Sequence, residues 1–175
     1  MKRLDRKVQK KAAKIKLLLL DVDGVLTDGG IIIDSRGVET KRFDVKDGQG
    51  IALLVRAGIS VGFVTSRSSP VVARRAKELG VRIVYQGVRD KADAYNEIKK
   101  NTGLQDGQIA FVGDDIPDLA LMQRAGFAVA VKDSWPGVKL RADYVTQAKG
   151  GCGAVREVSE LLLKAQNTWQ KFLTY

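Results

Sequence analysis

Histidine is absent from this chain of 175 residues, and cysteine occurs once, at Cys152. Those two shortages remove whole classes of chemistry. Without an imidazole there is no Ser-His-Asp triad, no Cys-His dyad, no phosphohistidine and no His-ligated zinc. A single thiol excludes an internal disulfide framework and a cysteine-cluster metal site. No apolar run reaches the 18 or so residues that a membrane span needs. The stretch over residues 1–20 holds only four consecutive leucines after Lys16, with no small-residue cleavage site, so it does not read as a signal peptide. The expectation is a cytoplasmic protein. Carboxylates, lysine, hydroxyls and oxygen-loving metals remain for any demanding chemistry.

Charge is plentiful and unevenly placed. The chain carries 30 Lys+Arg against 20 Asp+Glu, a formal net charge of +10. Eight of the basic side chains (Lys2, Arg3, Arg6, Lys7, Lys10, Lys11, Lys14 and Lys16) precede residue 17, with Asp5 as the only acid among them. The body beyond is nearly balanced. A basic head on a neutral body reads as a solvated tail or helical lead-in, and it argues against nucleic acid as a partner. Residues 1–16 are taken as a basic N-terminal extension and 17–175 as a single domain, long enough to bury a sizeable core.

Short apolar runs alternate with amphipathic stretches. Ile15–Leu20, Val61–Val64, Ile83–Tyr85, Ile109–Val112, Phe127–Val131 and Tyr144–Thr146 suit strands buried on both faces. Between them Gly50–Ala57, Val71–Leu79 (opened by Ser69-Pro70 and stopped by Gly80), Asp90–Lys100, Pro117–Arg124 and Val155–Ala165 read as helices. Strand–helix alternation means parallel strands joined by right-handed crossovers. The fold class is therefore α/β, a doubly wound parallel sheet. Gly30–Asp44 departs from the alternation: two β-prone stretches around Asp34-Ser35-Arg36-Gly37 read as a protruding β-hairpin. No insert is long enough for a second domain.

In an open parallel sheet, ligands bind beyond the carboxyl ends of the strands. The polar residues that follow the apolar runs should therefore meet at one rim: Asp21 and Asp23, Thr65 and Ser66, Asp114 and Asp115, with Lys91 opening a helix. Such crowded carboxylates cannot all stay ionised unaided. A hard divalent ion relieves them, and oxygen-only donors favour Mg²⁺, which in turn recruits phosphate. Asp21 is then a candidate nucleophile and Asp23 a candidate acid/base, with Thr65 and Lys91 holding phosphoryl oxygens.

At this point the residues resemble a known family. Asp21-Val22-Asp23-Gly24-Val25-Leu26-Thr27, Thr65, Lys91 and Gly113-Asp114-Asp115-Ile116-Pro117-Asp118 are similar to the four motifs of the haloacid dehalogenase superfamily of phosphatases, in order. The resemblance implies a Rossmann-like core, Mg²⁺ as cofactor, and the ion held by Asp21, the backbone carbonyl of Asp23, and Asp114. Further stretches (Phe43–Ile51, Val84–Lys91, Arg141–Thr146 and Gly150–Val158) resemble the 3-deoxy-D-manno-octulosonate 8-phosphate phosphatases of lipopolysaccharide synthesis, from about Ile15 to Ala165. That resemblance implies a capless homotetramer with shared active sites, the hairpin forming a barrel between subunits and the C-terminal tail reaching a neighbouring site. It further implies an acidic sugar phosphate as substrate, contacted by Asp23, Asp44, Val45, Lys46, Asp47, Gly48, Arg67, Arg75 and Lys91. Guanidinium forks at Arg67 and Arg75 suit a substrate with both phosphate and carboxylate. Three residues depart from the family pattern: Ala52 where an arginine occurs, Ser66 for glycine, and Cys152 for arginine.

Other residues have plainer readings. Asp28 reads as a turn cap, Cys152 as a small filler and Trp135 as a loop anchor. Asp118 is either support for the metal loop or a helix cap. Two competing functions stay open. One is the same chemistry on a nine-carbon keto-acid 9-phosphate. The other is a non-catalytic domain, regulatory or binding nucleic acid through its basic head.

Overall fold

In the computed structural model, which describes residues 5–173, the chain folds around one six-stranded sheet. The first helix, α1 (Arg6–Ala12), lies within the basic segment. Its Val8 and Ala12 face the core while its lysines face out, and Lys11 reaches Asp143 at 2.6 Å. Strand β1 (Leu17–Leu20) follows, with all four leucines completely buried. A small antiparallel ribbon of β2 (Ile32–Ile33) and β3 (Glu39–Thr40) comes next. Asp34 caps its turn, accepting the backbone N–H groups of Arg36 and Val38.

The remaining chain alternates as expected: α2 (Val45–Arg56), β4 (Ser60–Val64), α3 (Pro70–Glu78), β5 (Ile83–Tyr85), α4 (Lys91–Thr102), β6 (Ile109–Gly113), α5 (Leu119–Met122), β7 (Phe127–Ala130), α6 (Pro136–Lys139), β8 (Tyr144–Val145) and α7 (Ala154–Ala165). The sheet runs in the order β5-β4-β1-β6-β7-β8, all neighbours parallel. Alternation along β1 sends Leu18 and Leu20 into one apolar layer, with α1, α2, α3 and α7. It sends Leu17 and Leu19 into the other, with α4, α5 and α6. This is the doubly wound α/β architecture read from the sequence. No helix among the described residues is long and apolar enough to cross a membrane.

Three local differences have physical reasons. Helix α2 begins five residues before Gly50–Ala57, because Asp44 caps it by accepting Lys46 N–H at 2.6 Å and Asp47 N–H at 3.3 Å. Gly48 and Gly50 lower its intrinsic propensity but not its packing. A Cβ at Gly50 would stand 3.0 Å from Arg156 Cα, so glycine is what lets α2 and α7 meet. The expected Pro117–Arg124 helix is shorter: a 3₁₀ turn over Ile116–Asp118 precedes the single turn of α5. There Asp115 and Asp118 cap each other's backbone, which consumes the residues that would have extended the helix. Trp135, read as a loop anchor, is the residue from which α6 starts, its N–H donating to Asp114 C=O at 2.8 Å.

Candidate active site

The chain leaves β1, then builds β4 and β5 on one side before crossing to β6 on the other. That reversal opens a crevice at the carboxyl end of β1. The cleft there, about 160 Å³, is lined by Asp21, Asp23, Thr65, Ser66, Arg67, Lys91, Asp114, Asp115, Pro117 and Asp118. All six residues expected at the rim from the strand ends are present, with Lys91 beside them.

Asp21 continues β1, its N–H donating to Val112 C=O at 3.0 Å. The turn after it is tied by Thr27, whose Oγ1 accepts from Gly24 N–H at 3.4 Å and Gly29 N–H at 3.2 Å. Gly24 occupies the left-handed region at φ +91°, and a Cβ there would sit 2.2 Å from Asp114 Oδ2. The glycine therefore keeps open the ground that the Asp114 carboxylate occupies.

Lys91 is the first residue of α4 and is buried. Its ammonium lies 2.9 Å from Asp21 Oδ1 and 2.6 Å from Asp118 Oδ1. The other oxygen of Asp118 accepts the backbone N–H groups of Asp114 at 2.8 Å and Asp115 at 3.3 Å. Asp118 thus does both things that its position allowed: it supports the loop after β6 and caps its turn. Thr65, buried at the end of β4, accepts Arg67 N–H at 3.3 Å through Oγ1.

The electrostatics are unfavourable as they stand. Oxygens of Asp21, Asp114 and Asp118 all lie within 4.8 Å of one another. Burial and the charge of Asp118 push the Asp21 carboxyl up to about 6, even with Lys91 pulling the other way. Burial and the charges of Asp118, Asp21 and Asp115 push Asp114 up to about 8. For Lys91, burial alone would lower the ammonium, but Asp21 and Asp118 outweigh it and hold it above its ordinary value. One ammonium, paired with two of three crowded carboxylates, leaves a deficit of positive charge. All-oxygen donors of this kind fit a hard divalent ion such as Mg²⁺.

Asp23 stands outside that trio. Its side chain pairs with Lys41, and Arg67 Nε lies 3.8 Å from its other oxygen. Lys41 and Glu39 were not singled out from the sequence. Two residues apart at the end of β3, they share a face by the two-residue period of extended chain, but that period does not say the face turns back to the cleft.

The other substrate-contact candidates lie elsewhere in this chain. Asp44, Val45, Lys46, Asp47 and Gly48 form the start of α2, and Arg75 of α3 lies against Gly48 and over the Phe43 ring at 5.7 Å. None of these lines the carboxylate cleft. Asp47 is fully buried and caps α7, accepting Arg156 N–H at 2.7 Å and Gly153 N–H at 3.2 Å. Of the departing residues, Ser66 lines the cleft and Cys152 is exposed.

Comparison with known proteins matches residues 81–157 to a family described as haloacid dehalogenase-like hydrolase. The chain is 44% identical over 160 residues to the 3-deoxy-D-manno-octulosonate 8-phosphate phosphatase of Yersinia pestis, covering 91% of this chain and 86% of that one. It superimposes on the crystal structure of the phosphatase of that name from Moraxella catarrhalis with a TM-score of 0.94. That pair shares 46% identity over 95% of this chain and 96% of the other, and the Moraxella protein was crystallised with magnesium, phosphate and KDO. The cobalt-bound deoxy-D-mannose-octulosonate 8-phosphate phosphatase of Haemophilus influenzae matches with a TM-score of 0.90 at 38% identity, covering 94% of this chain and 99% of that one.

Proposed function

The chain belongs to the haloacid dehalogenase-like hydrolases, among the 3-deoxy-D-manno-octulosonate 8-phosphate phosphatases, and from that membership we propose that it hydrolyses this eight-carbon keto-acid phosphate to the free sugar acid and inorganic phosphate. The observation that carries the reading is the convergence of Asp21, Asp114 and Asp118 around Lys91 at the carboxyl end of β1.

Asp21, Asp114 and the main-chain carbonyl of Asp23 would hold Mg²⁺, with Asp118 beside them. When bound, the ion supplies charge neutralisation for the phosphoryl oxygens. Asp21 forms a bond from its carboxylate oxygen to phosphorus, and the ester P–O bond breaks. Asp23 gives the departing alkoxide its proton, then takes one from the water that cleaves the aspartyl-phosphate. Lys91 and Thr65 hold phosphoryl oxygens where charge accumulates. The cleft of about 160 Å³ suits a phosphoryl group and leaves the sugar outside, since pockets that enclose a whole small ligand run to about 300–1,000 Å³. That supports a tetramer in which neighbouring subunits complete the site. So do the exposed Ile31, Ile32, Ile33 and Val38 of the hairpin, an apolar ribbon suited to packing on its own copies. Asp44, Val45, Lys46 and Arg75 would meet the sugar acid in such an assembly, whereas Asp47 and Gly48 are buried, Asp47 being committed to the cap of α7. A role in lipopolysaccharide precursor synthesis in the cytoplasm follows from the substrate.

The test is phosphate release from 3-deoxy-D-manno-octulosonate 8-phosphate with Mg²⁺ and with a chelator, beside a nine-carbon 9-phosphate. Turnover should require Mg²⁺, favour the eight-carbon ester, and fall by about 10³-fold or more in Asp21→Asn. Turnover that survives Asp21→Asn unchanged overturns the covalent mechanism, and equal rates on both esters overturn the substrate assignment.

A further inference from the structure

The hairpin returns one side chain to the site with unusual placement. Lys41, just beyond β3, is 1% exposed in its side chain. A lysine this deep must be paired. Its ammonium donates to Asp23 Oδ1 and lies 3.3 Å from Glu39 Oε1. The same Glu39 oxygen accepts from Arg67 Nη2 at 2.9 Å. Two acids and two bases thus form a charge-balanced quartet joining the hairpin to the cleft. Within it the two oxygens of Asp23 are treated differently: Oδ1 is tied to Lys41, whereas Oδ2 is buried, accepts no hydrogen bond among the described residues and has only Arg67 Nε at 3.8 Å as its charged neighbour.

A carboxylate's terminal torsion is broad and roughly two-fold, so an untethered Asp23 presents either oxygen and many orientations. Proton transfer needs one oxygen held within hydrogen-bond reach of the ester oxygen. We propose that Lys41 is the positioning residue for Asp23: it clamps Oδ1 so that Oδ2 faces the leaving group. This rests on the phosphatase reading above. Lys41 does not line the cleft, so it acts through Asp23. Glu39 supports the clamp by holding Lys41 and Arg67 together, which keeps the added ammonium from leaving an unbalanced buried charge.

The step that should register the clamp is the first one. As the Asp21–phosphorus bond forms and the ester bond breaks, the electron pair goes to the ester oxygen and the proton on Asp23 Oδ2 follows it. An alkoxide needs that proton and p-nitrophenolate does not. The experiment measures single-turnover release of the alcohol, with enzyme in excess and Mg²⁺ present, for the eight-carbon keto-acid phosphate and for p-nitrophenyl phosphate. The variants are Lys41→Met and Lys41→Arg. The ratio of the two rates in one preparation does not depend on how much of a variant is folded. In Lys41→Met the alkyl ester should slow at least about tenfold more than the aryl ester, and Lys41→Arg should regain part of that difference. An unchanged ratio in Lys41→Met, with wild type active, overturns the role of Lys41 and leaves the phosphatase reading standing. Release of neither alcohol by wild type overturns both.

Discussion

Two neighbourhoods take aspartates out of water and treat them in opposite ways. Asp47, in the seam between α2 and α7, is enclosed, and both its oxygens accept backbone N–H groups from the start of α7. Asp21, Asp114 and Asp118, at the rim of the sheet, face one another, and the one ammonium among them, that of Lys91, pairs with Asp21 and Asp118. Burial raises the carboxyl of Asp47 as well, but the N–H groups of Arg156 and Gly153 counter it, and the helix end welcomes the charge. At the rim the neighbours of Asp114 add to the burial. A buried carboxylate answered by amide dipoles holds a fold together. One answered by other carboxylates is suited to a cation that the chain itself does not supply.

The largest change in this contrast comes from removing a rim carboxylate. Asp114→Ala should lower kcat/KM by about 10³-fold, or about 4 kcal/mol of transition-state stabilisation, and abolish Mg²⁺ uptake by titration calorimetry. The metal-free protein should unfold at a higher temperature than wild type at pH 8, because one of the repelling charges is gone. A lower midpoint would erase the distinction. Next, Asp47→Ala should cost about 2–3 kcal/mol of stability in urea, from a lost cap and buried donors left unpaired, with Mg²⁺ affinity kept. A loss under a few tenths of a kcal/mol would show that the seam does not depend on this charge.

The contrast also has a pH signature. Asp21 and Asp114 titrate in the fold at about 6 and about 8, against an ordinary value of 3.8. Between roughly pH 4 and 8 the unfolded chain has lost protons that the folded chain retains, so stability falls as pH rises through that window and levels above it. Thermal midpoints of the metal-free protein should drop from pH 5 to pH 8. Saturating Mg²⁺ should flatten the profile and raise the midpoint more at pH 8 than at pH 5. A metal-free midpoint that climbs over this range would contradict the rim electrostatics.

The sheet was legible in the sequence because its signals are local. Each apolar run of β1, β4 and β6 ends in the polar residues that the strand delivers to the rim, so Asp21, Thr65 and Asp114 could be placed from position alone. Lys91 followed from its place at a helix start. What escaped depends on contacts between distant segments. Nothing in the residues around Asp47 says that its carboxylate will cap a helix beginning at residue 154, more than a hundred positions on. The start of α2 was hidden because Gly48 and Gly50 look like helix breakers until Arg75 of α3 is laid against the first and α7 against the second. Lys41 sits in a ribbon whose neighbours are solvent-exposed, and only the fold reveals that its side chain turns inward to Asp23. Asp118 was ambiguous for a different reason: a cap and a support for the loop need the same residue, and here one side chain is both.

That double hold by Asp118 has a consequence for how ions are exchanged. One oxygen rests on Lys91 and the other on two amides of the loop after β6, so the loop's shape is maintained by groups that never leave. A cation held at the rim as proposed would find its seat already formed, and its departure would not need to drag the loop with it. Loading and unloading should therefore be rapid and reversible, governed by the surrounding ion pool instead of by any refolding of the site.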